Sequence, residues 1–287
     1  MQELKDKTAV ITGGASGIGL AMAEAFAAAG MKLVLADIEE APLDDAVKAL
    51  KAAGAEAIGV LTDVTKTDQL EALADRSYDA FGAVHVVCNN AGVGVGGPAW
   101  SISKADWDWI LSVNLHAVID GIRIFVPRMI EQDTEGQIVN TASIAGLTSS
   151  PSMAPYFVSK HGVVTLSECL HHDLQLAGSK LRVSVVCPGW VNTKVVESDR
   201  NRPSGLLKDE ELDPLFGMVR EALRATMPNA MPPSEVADLV VDAIRNNRFY
   251  VLPHQTWKPM IETRMQDILE ERDPTLTQPP DSMLELG

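Results

Sequence analysis

The stretch TAVITGGASGIGLA, residues 8–21, decides how the chain folds. A short run rich in β-branched and apolar side chains enters a turn holding Gly13, Gly17 and Gly19, and an alanine-rich segment follows at once. Such a run reads as a buried strand, and the alanines after it read as a helix. Glycines between them let the backbone turn tightly and leave the first N–H groups of the helix without intrahelical partners.

The same alternation continues along the chain. Strands are expected at 32–37 (KLVLAD), 56–61, 84–89, 136–142, 182–187 and 249–252, with helical stretches between them. Runs that are apolar on both faces and separated by helices form parallel sheets covered on both sides. The expected fold is a single-domain, doubly wound Rossmann-type α/β sheet of about seven strands, spanning residues 1–253. Pro42 suits a first helical turn, Gly30 and Gly54 suit helix ends, and Ser234 suits the N-cap of EVADLVVDAI. Residues 193–233 interrupt the alternation as an insertion with one amphipathic stretch, LFGMVREALRAT, and read as a substrate loop. Residues 254–287 form a tail, helical over 257–271 and then extended; its last segment, DPTLTQPPDSMLELG (273–287), is expected to be poorly ordered alone or docked on a partner subunit.

Composition narrows the functional classes. A formal charge of −15 over 287 residues argues against nucleic-acid binding, which needs a basic face. The start lacks a signal-peptide pattern and no stretch reaches eighteen uninterrupted apolar residues, so a cytoplasmic protein without a membrane span is expected. Cys88, Cys169 and Cys187 lie in apolar segments without CxxC spacing and are expected as buried, reduced thiols; no metal site is expected.

A helix opening on a glycine turn is an anion cradle, because its free N–H groups and partial positive charge face a phosphate. The spacing here is GxxxGxG rather than GxGxxG. Asp37 ends the second strand, eighteen residues beyond Gly19, where a carboxylate can accept both ribose hydroxyls of an adenosine and repel a 2′-phosphate. Neither Ser16, Ala36 nor Ile38 is basic, which favours NAD over NADP. The alternative for Asp37 is a cap on the helix beginning near Ala41.

These residues, with Asn89-Asn90-Ala91-Gly92, Asn114 in LSVNL, Ser143 in NTASIAG, and Tyr156 and Lys160 in YFVSK, resemble the short-chain dehydrogenase/reductase family over roughly residues 5–252. The resemblance implies that Asn114, Ser143, Tyr156 and Lys160 are catalytic. It implies cofactor contacts at Gly13, Ser16, Gly17, Ile18, Gly19, Asp37, Ile38, Asp63, Val64, Asn90, Ala91 and Gly92, at Tyr156 and Lys160, and at Pro188, Gly189, Val191 and Thr193. It also implies a homodimer or homotetramer, built on the long helices around 103–130 and 152–177. The segment WDWILSVNLHAVIDGIRIFVPRMI (107–130) is similar to members acting on bulky secondary alcohols and ketones, aryl-alkyl carbinols included.

The chemistry explains the residue types. Removing a hydroxyl proton during hydride transfer needs a base, and free tyrosine, with a pKa of about 10, is a poor one. Lys160 lies one helical turn beyond Tyr156 on the same face, and its ammonium together with oxidised nicotinamide stabilises the phenolate. Ser143 is expected to hold the substrate oxygen, and Asn114 to anchor a water that relays the proton. Val93, Val95, Leu147, Met153 and Trp190 are expected to line an apolar substrate pocket. The reading is an NAD-dependent dehydrogenase of a hydrophobic secondary alcohol. Its rivals are an NADP-dependent carbonyl reductase, an epimerase or dehydratase, and a non-catalytic NAD-binding sensor or scaffold.

Overall fold

A computed structural model describes residues 1–204, 221, 224–225, 227–278 and 280. Its seven strands are β1 (Thr8–Thr12), β2 (Lys32–Asp37), β3 (Ala57–Leu61), β4 (Val86–Asn89), β5 (Gly136–Thr141), β6 (Leu181–Val186) and β7 (Tyr250–Val251). They form one parallel sheet in the order β3-β2-β1-β4-β5-β6-β7. All five residues of β1 are buried, as a central strand covered on both faces requires.

Eight α-helices are described: α1 (Gly17–Ala28), α2 (Glu40–Ala52), α3 (Thr67–Phe81), α4 (Lys104–Leu111), α5 (Ala117–Glu131), α6 (Ala154–Leu176), α7 (Pro233–Arg245) and α8 (Lys258–Leu269). On one face of the sheet, Met22, Phe26, Leu43, Val240 and Ile244 from α1, α2 and α7 pack on Ile11, Leu33 and Leu35. On the other, Leu70, Leu73, Phe125, Met129 and Leu174 from α3, α5 and α6 pack on Val10, Val34 and Ile138. Burying two such layers is the main drive to fold.

Details of the punctuation differ from the sequence expectation. Gly30 and Gly54 end α1 and α2 at φ 77° and 91°. Pro42 falls in the first turn of α2. Ser234, however, lies inside the first turn of α7, which begins at Pro233 behind Pro232, because two prolines already supply the fixed φ that starts a helix. Cys88 and Cys187 are buried, whereas Cys169 sits exposed on the outer side of α6. In the insertion, Lys194–Asn201 coils as 3-10 turns kinked at Glu197, and most of LFGMVREALRAT lies outside the described residues.

Two long-range features bear on the site. Lys104–Glu131 is continuous helix across a π-turn at Ser112–His116, and by length and composition it could cross a membrane. Half of its most apolar window is buried against the rest of the fold, and it carries the Arg123–Asp120 and Arg128–Asp75 ion pairs. The second is the tail. After α8 it turns back on its own chain: Asp267, buried on α8, accepts the Thr275 backbone N–H at 2.8 Å and the Thr275 hydroxyl at 3.3 Å. The final stretch, beyond 280, lies outside the described residues.

Candidate active site

The carboxyl ends of the strands open on one cleft of about 1190 Å³, at the point where the strand order reverses between β1 and β4. The glycine turn forms its floor. Gly13 and Gly17 adopt φ of 64° and 53°, a region costly for any residue with a Cβ. A Cβ on Gly13 would also stand 3.0 Å from the Ala91 Cα, so the turn packs directly on the end of β4. Ser16, Gly17 and Ile18 line the cleft; Gly19 does not. It faces the Gly13 carbonyl and the Asn90 amide, where a Cβ would have no room, and so shapes the turn from behind.

Asp37 is buried and does not cap α2, whose N-cap is Glu39. One oxygen accepts the Ala15 N–H at 3.0 Å and the other the Glu39 N–H at 3.1 Å, tying the glycine turn to β2. Ile38, Asp63 and Val64 lie beside it on the wall. Opposite, Asn90 donates its backbone N–H to the Thr12 hydroxyl and its side-chain amide to the Thr12 carbonyl. That pair fixes Asn90, Ala91 and Gly92 on the cleft wall, with Pro188, Gly189, Val191 and Thr193 on the far side.

Ser143, Tyr156 and Lys160 converge in the same cleft. Ser143 follows β5 and caps a 3-10 turn, its hydroxyl accepting the Ala145 N–H. Tyr156 and Lys160 stand one turn apart on α6, with the ammonium 5.6 Å from the phenol ring centre. Lys160 is buried and donates to the Thr141 carbonyl at 3.0 Å. Burial draws its pKa down from 10.5 to about 8. Burial also pushes the Tyr156 phenol up, while the neighbouring Ser143 side chain opposes that shift.

Asn114 stands behind the wall rather than on it. Its carbonyl oxygen accepts the Val93 N–H at 2.9 Å; its amide donates to the Val93 carbonyl at 2.9 Å and to Ser159 at 3.2 Å. The π-turn that carries it aims this amide inward, and both its Oδ1 and the Lys160 Nζ lie 3.6 Å from where a Gly92 Cβ would be.

Of the expected pocket residues, Val93, Val95, Met153 and Trp190 line the cleft and Leu147 does not. The 3-10 turn Ile144–Gly146 carries Leu147 away from the opening, into a cluster with Ala142, Val163, Val164 and Cys187. Ile144 takes the place on the wall.

Several residues on or behind the cleft wall carried no local sequence signal. Arg200, from the insertion, reaches the end of the cradle beside Asp37 and clasps the Glu39 carboxylate with contacts of 3.1 and 3.2 Å. That guanidinium holds the Glu39 carboxyl below its usual range. His254 accepts the Gly189 N–H at 3.0 Å through Nδ1, which leaves Nε2–H to donate to the Trp190 carbonyl at 3.0 Å. Trp257 presses on Gly189, where a Cβ would lie 2.7 Å from its ring. Among the described residues, no cluster of three His, Cys, Asp or Glu could hold a metal ion.

Geometry and comparison agree on the family. The model of the short chain dehydrogenase family matches residues 7–204, and the chain belongs to that family of oxidoreductases. A CLA biosynthesis dehydrogenase/reductase of Lactiplantibacillus plantarum is 34% identical over 279 residues, covering 96% of this chain and 97% of that one. A C alpha-dehydrogenase of Sphingobium sp. (strain NBRC 103272 / SYK-6) is 31% identical over 285 residues, with 97% and 90% covered. Among solved structures, a short chain dehydrogenase/reductase from Burkholderia phymatum in complex with NAD superposes with a TM-score of 0.94. It is 44% identical, and the alignment covers 97% of this chain and 100% of that one.

Proposed function

We propose that the protein is an NAD-dependent dehydrogenase that interconverts a hydrophobic secondary alcohol and its ketone. The observation that carries this reading is the convergence of Ser143, Tyr156 and Lys160 beside a glycine cradle, in a cleft walled by Val95, Trp109, Met153 and Trp190. The cradle fits a dinucleotide: the α1 N-terminus offers N–H groups to a pyrophosphate, and Asp37 stands where an adenosine ribose would reach. NAD, when bound, supplies the hydride acceptor.

The chain's own residues handle the proton. Ser143 holds the carbinol oxygen beside Tyr156, and the phenolate takes the hydroxyl proton as general base. Lys160 stabilises that phenolate through its charge. Asn114 positions rather than reacts, since its amide fixes the Val93 backbone that forms the wall. In the ketone-reducing direction Tyr156 returns the proton.

Arg200 is the observation that favours the NADP reading, because a guanidinium near Asp37 could meet a 2′-phosphate. Its engagement by Glu39 weighs for NAD. The oligomer is part of the same proposal: Ile130 on α5 and Val158 and Leu176 on α6 are exposed apolar residues on the helices that would pair two copies. The functional reading is tested by incubating the protein with NAD, or with NADP, and a panel of aryl, alicyclic and long-chain secondary alcohols while following the absorbance of the reduced cofactor. Turnover with NAD is expected; cofactor binding without turnover on any alcohol would favour the sensor reading.

A further inference from the structure

The motif DPTLTQ, residues 273–278, has no part in the chemistry described so far, yet Leu276, Thr277 and Gln278 line the catalytic cleft. Its position is fixed by a defined anchor. Asp267 is buried on α8, receives both the backbone N–H and the hydroxyl of Thr275, and pairs with Arg272 at 3.2 Å. Those bonds bring the chain eight positions back along α8 and set Leu276 immediately after the anchored residue.

The end of the cleft that the tail covers follows from its neighbours. Trp257, which leads into α8, stacks edge-on against Trp190 with ring centres 5.8 Å apart. Met260 on α8 lines the cleft together with Trp257 and Trp190. Thus the start of α8 borders the part of the cleft at Trp190, on the alcohol side, whereas the adenosine side is bordered by Asp37, Glu39 and Arg200. Leu276 remains about half exposed there, 51% by relative surface, so it offers apolar area that a bound molecule can still cover.

We infer that residues 275–278 form the outer wall of the alcohol-binding half of the cleft, and that Leu276 sets its preference for long or bulky apolar alcohols, with Asp267 as the residue that positions it. The inference rests on the dehydrogenase reading given above. A short secondary alcohol held at Ser143 ends before this wall, whereas a long one reaches it and gains by burying Leu276. Selectivity among alcohols, rather than turnover itself, is the quantity the tail controls.

The test uses the full chain with NAD and two probes, 2-butanol and 2-octanol. Wild-type protein should favour 2-octanol in kcat/KM. Leu276→Ala should reduce that preference on the order of tenfold, mainly through a higher KM for 2-octanol, with a smaller effect on 2-butanol. Asp267→Asn should produce the same loss of preference, and the double variant should lose no more than either single one, since both act through one wall. An unchanged 2-octanol to 2-butanol ratio in Leu276→Ala overturns the inference, and this holds even if Asp267→Asn fails to fold. Failure of the wild-type protein to oxidise any secondary alcohol overturns the dehydrogenase reading itself and the inference with it.

Discussion

Burial acts in opposite senses on the two side chains proposed to handle the proton: it lowers the Lys160 ammonium to about 8 and raises the Tyr156 phenol. Removing the ammonium takes away a cation that favours the phenolate, so the rise of alcohol oxidation with pH should move to higher pH in Lys160→Met, with kcat falling by about 10²-fold or more. The same substitution should stabilise the fold. Holding the charge in the protein at about 8 rather than 10.5 costs roughly 3 kcal/mol, and losing the bond to Thr141 costs about 1 kcal/mol, leaving a net gain of about 2 kcal/mol. The sign of this residue's pH dependence follows: between about 8 and 10.5 the unfolded chain keeps the Lys160 proton that the folded one has released, so the Lys160 contribution to stability rises across that window. Urea unfolding of both proteins near neutral pH and near pH 10 checks both points, since the variant lacks the rise. Asp37 permits a second test at this scale. Asp37→Asn keeps an acceptor for Ala15 and removes the charge, so the NADP to NAD ratio of kcat/KM should rise about tenfold; an unchanged ratio would remove Asp37 as the selector.

At the scale of elements, the 198–204 segment is pinned to α4 by a buried ion pair. Arg202 meets Asp106 and Asp199, with the first two side chains only 3% and 2% exposed, and its guanidinium lies 5.1 Å over the Trp109 ring. Ser103 caps α4 by accepting the Asp106 N–H and donates its hydroxyl to the Asp106 carboxylate, which helps to hold that carboxylate in place for the arginine. Arg202→Met should cost about 3 kcal/mol in chemical denaturation, because it strands a buried carboxylate, and Arg202→Lys should recover little since lysine cannot bridge two carboxylates and stack on an indole. None of this was legible in the sequence, as Asp106 and Arg202 lie far apart and follow no motif. The sheet was legible, because β1, β2, β4 and β5 are apolar on both faces and each is closed by a turn or helix signal. Asn114 was legible as a motif residue but its function as a brace on Val93 was not, because the π-turn that rotates it inward leaves no pattern in LSVNL. Leu147 was misplaced for the same reason: a single 3-10 turn decided which side chain faced the opening.

For the molecule as a whole, the doubly wound parallel sheet followed from alternation, whereas the strand order came only with the structure and the course of the tail depended on one carboxylate. Asp267 reads as an ordinary charge on the surface of a helix until Thr275 returns to it. The exposed apolar residues on α5 and α6 belong to this scale too. Light scattering should give a dimer or tetramer, and a monomer would contradict the proposed pairing of these helices. The account as a whole turns on the tyrosine. With NAD and an alcohol that the wild-type protein oxidises, Tyr156→Phe should retain NADH affinity, read by fluorescence, and lose turnover by about 10²–10⁴-fold. Wild-type turnover in Tyr156→Phe, with affinity intact, would contradict the assignment of Tyr156 as the acid/base.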